Sequence, residues 1–461
     1  MLRTLALLLV LVASTARAAD PVDPVDPVVD DERGPPPNPA RGETYDGRPS
    51  RRPAGYWALT PPRILLAPFR FTFRLLEWPA RWATEFEERH HIGQRLVDMS
   101  TWGEGTIGIR PLFTYSLAFV PSGGLRFFHD RLQGRGTAFS IWATTGGADI
   151  VHTELRGRPT RAGRPVQYTY AFAYDRRNDY LFAGIGNTTP VPAGTLGPSR
   201  YAADQLDFFN SLQLRLARPL WFSVGMQVGW RRFHDGRFYD GQPPITEVYC
   251  VRVGPDCVPG TVDEALVPGF NQGTQFVRPS ASLFLDLRDD PVRSAVGLIV
   301  EVGADYSHGL GADRSRYFRV HGSAGVPIRL WSRAHVLLLH VSTELVAPLG
   351  SSAPVPFTEL ATLGGPNDLR GFRWQLFHGY SSFVATAEYR WPIWMWLDGV
   401  VFVDYGGVFG KRYEGFGAAQ MQPDVGGGFR VRTRARFHLR VEVAYGFGES
   451  WRLYISTTDW P

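Results

Sequence analysis

The sequence predicts an all-β membrane protein: a 16-stranded antiparallel transmembrane β-barrel preceded by a short amphipathic helical segment. Three observations lead there. From Thr106 onward hydrophobicity alternates with a period of two, the period of a strand with two unlike faces. Past the N-terminus no apolar run reaches the roughly eighteen residues that a membrane-crossing helix needs, whereas barrel strands hide their hydrophobicity in alternation. A soluble sandwich also alternates, but the connections here run short on one rim and long on the other, an asymmetry that a sandwich has no reason to produce. The 50 glycines and 36 prolines favour many short elements over long helices.

Taken in chain order, residues 1–18 read as a cleavable secretory signal, with Arg3, an apolar stretch from Leu5 to Val12, and the small pair Ala16 and Ala18. Residues 19–55, with PVDPVDPVV and GPPPNPARG, hold too little apolar surface to repay ordering and are expected to be a disordered linker. Residues 56–104 form the amphipathic helical segment, most marked from Pro61 to Met99 and broken at Pro68 and Pro79. Two fates are open to it: lying on the inner leaflet with Trp78 and Trp82 at the headgroups, or packing into or under the barrel as a plug. His90 and His91 are adjacent, so they do not share a helix face as a metal pair would.

Residues 105–461 make the barrel, with strands starting near 106, 123, 137, 149, 166, 203, 219, 275, 294, 314, 333, 381, 398, 424, 437 and 450. Connections after even-numbered strands are short, such as RLQGR and TRARF; those at 177–202, 235–273 and 348–380 are long. This is the pattern of an outer-membrane barrel whose chain ends both lie in the periplasm. The faces can be assigned. In SSFVATAEYRW, Phe383, Ala385, Ala387, Tyr389 and Trp391 oppose Ser382, Val384, Thr386, Glu388 and Arg390. In HLRVEVAYGF, Leu439, Val441, Val443, Tyr445 and Phe447 oppose His438, Arg440, Glu442 and Gly446. Trp391, Trp394 and Trp396 crowd one short turn, as an interfacial girdle requires.

The net charge of +5 is carried almost wholly by arginine and is too modest and scattered for a nucleic-acid partner. Cys250 and Cys257 stand close together in a Pro/Gly-rich connection, which suits one small disulfide in an exported protein; two free thiols are the alternative. No spacing suggests a metal site or a cofactor. The nearest approach to a nucleophile elbow, HGSAG at 321–325, begins with histidine and falls inside a strand, so no enzymatic role is expected.

The connection before the twelfth strand contains LGGPNDLRGF, followed in order by EYRWP at 388–392 and FVDYG at 402–406. With these motifs the chain resembles the BamA/TamA-type superfamily of outer-membrane insertases and two-partner-secretion translocators, the bacterial surface antigen family. LDLRDDPVRSAVG at 285–297 and FAGIGN at 182–187 are weaker points of likeness. The resemblance implies a loop that folds into the lumen, with Leu369, Arg370, Gly371 and Phe372 at its tip. Its arginine would pair with Glu388 and with Asp404 of a motif that also contains Phe402 and Gly406. Gly364, Gly365 and Gly371 would supply tight turns. A guanidinium suits this role because its planar fork can bond two carboxylates at once.

The span between linker and barrel is too short for a POTRA domain, so a member without one is expected. The implied setting is the bacterial outer membrane, with membrane lipids as neighbours and a protein or lipid client as the implied partner; the oligomeric state is open, with a monomer favoured. Two functions are open: membrane assembly or export of that client, and a passive or structural barrel without client handling.

Overall fold

The computed structural model describes residues 100–456, apart from 104–105, 117–118, 133–136, 160–164, 188–195, 254–255, 259, 291–293, 331–333, 351–352, 395–396 and 433–437. The signal, the linker, the Pro61–Met99 segment and the final Trp460–Pro461 lie outside the described residues, as do Trp396 and the side chain of Trp394.

One antiparallel sheet dominates. Its strands are β1 (Ile107–Ser116), β2 (Phe119–Leu132), β3 (Thr137–Gly147), β4 (Ile150–Arg158), β5 (Val166–Phe182), β6 (Ser199–Ala217), β7 (Leu220–Asp235) and β8 (Thr274–Asp286). They continue with β9 (Ile299–Gly309), β10 (Arg316–Arg329), β11 (Val336–Pro348), β12 (Ser381–Trp394), β13 (Leu397–Phe409), β14 (Gln422–Arg432), β15 (His438–Gly446) and β16 (Trp451–Ser456). Each pairs with the next, and β16 pairs back to β1 through Tyr115 with Ile455 and Ser116 with Tyr454, so the order of pairings returns to its start. The HGSAG segment sits within β10.

Alternation sorts the side chains as the sequence predicts. On β12, Ser382, Val384, Thr386, Glu388 and Arg390 are buried, while Phe383, Ala385 and Tyr389 are half-buried and Ala387 is exposed. The outward side chains Val302, Phe318, Val320, Leu339, Val341, Val403 and Val443 form an exposed apolar belt, the surface a lipid bilayer covers. On β15, Leu439 departs from this pattern, being buried although its position is outward.

Two expectations need correction. The end of the amphipathic helical segment is extended instead: Thr101–Trp102 pairs antiparallel with Gly108 and Ile107 of β1. A turn at Gly103, whose φ of 61° lies in the left-handed region, reverses the chain there. Secondly, β9 starts at Ile299 rather than near 294. Asp289 accepts the amides of Ala295 and Val296, which spends these residues on the turn after β8.

The rim with the long connections is closed by packed loops. The 236–273 connection carries α1 (Ile245–Val248) and a hairpin that pairs Arg252–Val253 with Asp256–Cys257. Ile245, Tyr249, Val262, Val267 and Phe270 from this connection share one apolar cluster with Phe182, Tyr201, Phe233 and Phe357. Burial holds the Tyr249 hydroxyl above its ordinary range, and it donates to the Gly197 carbonyl at 3.1 Å.

Candidate functional site: the lumen loop and its anchors

The connection from β11 to β12 turns inward. Gly364 and Gly365 have φ of 110° and 116°, values that a residue with a Cβ rarely adopts, and the tip closes on itself where the Gly365 amide reaches the Leu369 carbonyl. Leu369 and Phe372 are fully buried with Leu363, Leu376, Phe377, Val384 and Val408, which fixes the tip between them. Gly371 serves differently from the turn expected of it. Its φ is not in the left-handed region; a Cβ there would collide with the backbone nitrogen of Gly446 and with Asp424 on the wall.

Arg370, only 2% exposed, is thereby aimed at three carboxylates on three strands. Its Nε and Nη2 donate to both oxygens of Asp404 at 2.7 and 2.8 Å, and its Nη1 to Glu388 at 3.1 Å and Glu442 at 3.3 Å. Its guanidinium lies 3.3 Å from the centre of the Phe402 ring, so the first residue of the FVDYG motif acts as a stacking floor. That ring fills the space a side chain at Gly426 would need, Gly426 being its cross-strand partner. Gly406 pairs with Val384 one layer above.

Further members of the site carry no motif. Arg430 joins Glu388 and Glu442 at 2.6 and 2.9 Å, and Arg440 joins Glu442 at 2.6 Å. Thr386 donates to Asp404 at 2.7 Å, and the Gly371 amide to Asp424 at 2.9 Å. The Tyr454 hydroxyl on the last strand donates to the Phe372 carbonyl at 3.0 Å. Arg440 and Glu442 fall on the inward face in the alternation of β15, which is the signal by which sequence could have found them. Arrangements of this kind hold charge and fix a loop. Cys250 and Cys257 are joined as a disulfide on the other long connection, at 236–273.

The ring of inward-facing side chains around a loop-filled lumen, with the apolar belt outside, defines a bacterial outer-membrane barrel. In this protein residues 273–452 match the Omp85 superfamily domain. Its fold is similar to that of BamA from Haemophilus ducreyi lacking POTRA domains 1–3, at 13% identity and a TM-score of 0.55, over 76% of this chain and 69% of that one. CdiB from Acinetobacter baumannii aligns at 12% identity and a TM-score of 0.46, over 75% of this chain and 58% of that one. CdiB from Escherichia coli aligns at 10% identity and a TM-score of 0.48, over 75% and 62%. The chain thus spans less than two thirds of either CdiB. Comparison with curated proteins returns no match. Among the described residues there is no POTRA unit.

Proposed function

We propose that this barrel acts in outer-membrane assembly or export of a protein or lipid client, which enters or leaves through the junction of β1 and β16. One observation carries the reading. At this junction Tyr115 and Ser116 pair with Ile455 and Tyr454, and the Tyr454 hydroxyl donates to the Phe372 carbonyl, so the first and last strands meet beside the tip of the lumen loop. Arg370, its carboxylates and the Tyr454 hydroxyl hold the lumen loop beside that same junction. A passive pore has no use for a loop so fixed in its conduit.

The test zips the junction. Tyr115→Cys and Ile455→Cys, which are register partners, should form a disulfide under oxidation. Cells relying on the zipped protein should show a defective envelope protein or lipid profile that a reductant restores. Unfolded barrel protein added to proteoliposomes should insert faster beside the reduced form than beside the oxidised one. If both profile and insertion are indifferent to oxidation, the passive-barrel reading replaces this one.

A further inference from the structure

The lumen loop has a second anchor of opposite sign. Glu359 lies in a short 3-10 turn (Phe357–Glu359) eleven positions before Arg370 and is 3% exposed. Its carboxylate meets Arg231 of β7, Arg278 of β8 and Arg319 of β10, the last at 3.0 Å, and accepts the Tyr317 hydroxyl at 2.9 Å. Arg278 also donates to Tyr317 at 2.8 Å, so the four donors form one receptor.

This receptor is built as the Arg370 site is. Arg231 and Arg278 lie over the Phe276 ring at 4.9 and 4.2 Å from its centre. The ring occupies the space of its cross-strand partner Gly229, as the Phe402 ring occupies that of Gly426. In both places an inward phenylalanine laid over an inward glycine makes a flat floor for guanidinium. The sign is reversed: at one site the loop brings the cation, at the other the anion. The strap therefore spans from β7–β10 to β12–β15.

Charge balance tells the two anchors apart. On the wall around Glu359, Arg231, Arg278 and Arg319 face Asp207, Asp305 and Glu344 at 3.3 to 3.9 Å, three charges against three without the loop. Around Arg370 the wall has Arg430 and Arg440 against Glu388, Asp404 and Glu442, with Asp424 besides. Withdrawing Arg370 strands buried carboxylate; withdrawing Glu359 leaves a wall that still balances. From this we infer that Glu359 is the releasable positioning residue of the strap, that Arg370 is its fixed hinge, and that the arm around Phe357 opens the mouth on the long-loop rim. The inference concerns the mouth alone and holds with or without a client at the β1–β16 junction.

The purified full-length protein tests it. Glu359→Gln should expose the peptide at Phe357, now fully buried, raising chymotrypsin cleavage there about tenfold through local opening. In planar bilayers its conductance should rise and its selectivity shift towards anions. The temperature at which the folded band is lost in electrophoresis should stay near that of the parent, whereas Arg370→Ala should lower it. Because Phe357 also packs in the apolar cap, the double change Glu359→Gln with Phe357→Ala, cleaved by trypsin at Arg373, separates charge from packing. It should open the mouth further in conductance while Arg373 stays as protected as in the parent. The inference is overturned if Phe357 stays protected and conductance is unmoved, if Arg373 is cleaved as readily as Phe357, or if Glu359→Gln destabilises the barrel as much as Arg370→Ala.

Discussion

Arg370 is held by five hydrogen bonds to three carboxylates and by a ring beneath it, in a site that is almost wholly buried. A water-filled lumen would have weakened such a pair, but at 2% exposure breaking it by Arg370→Ala should cost about 3–5 kcal/mol. The barrel should still form, since its ladders are elsewhere, with easier proteolysis between 363 and 374 and an earlier loss of the folded band on heating. Asp404→Asn should act in the same direction and less strongly, because Glu388 and Glu442 remain for the guanidinium. The double change should cost less than the two singles summed, as partners in contact require. Strict additivity would place the loop outside this cluster. The pairing of Arg370 with Glu388 and Asp404 was legible through the family resemblance that the motifs carry, and the face assignment agreed with it. Glu359 was not. It is one glutamate in PVPFTEL with nothing local to mark it, and its arginines stand on three strands that only the register brings together.

At the scale of elements, strands were legible because alternation is a local property: β3, β5 and β12 begin at Thr137, Val166 and Ser381, where the pattern places them. Loop interiors were not, since their order depends on contacts with distant chain. FAGIGN shows this. Its glycines do turn, with φ of 87° and 137° at Gly184 and Gly186, but its use lies in Asn187. The Asn187 side chain accepts the Val408 amide and donates to the Val408 carbonyl, clamping the end of β13 from across the lumen. The 236–273 connection was legible only through its two cysteines. Cys250 is buried at the base of its small hairpin and Cys257 is exposed, and both lie on the long-loop rim. On intact cells, mild reduction followed by a membrane-impermeant maleimide should label Cys257 first and Cys250 more slowly. If neither labels until the outer membrane is permeabilised, the barrel is inserted with its long loops towards the periplasm.

For the whole molecule, closure is a matter of how the last strand is retained. Among the described residues, β16 pairs along its length with β15 on one side and with Tyr115 and Ser116 of β1 on the other. The Tyr454 hydroxyl adds a third hold, on the Phe372 carbonyl of the lumen loop, and Gly371 lies against Gly446 where a side chain would not fit. The loop thus acts on the junction as well as on the lumen. Its Arg370 anchor sets where Phe372 sits, and Phe372 in turn holds the last strand. Tyr454→Phe removes that bond and leaves a buried carbonyl unpaired, at a cost of about 1–3 kcal/mol. The effect should be local. Amide exchange in β16 and in the Tyr115–Ser116 end of β1 should speed up by one to two orders of magnitude at that cost, while β7 to β10 keep the parent's protection. Arg370→Ala should produce the same pattern, and adding Tyr454→Phe to it should bring little further change. Equal exchange in parent and variant would mean that the lumen loop and the junction are independent, and that strand pairing alone holds the junction.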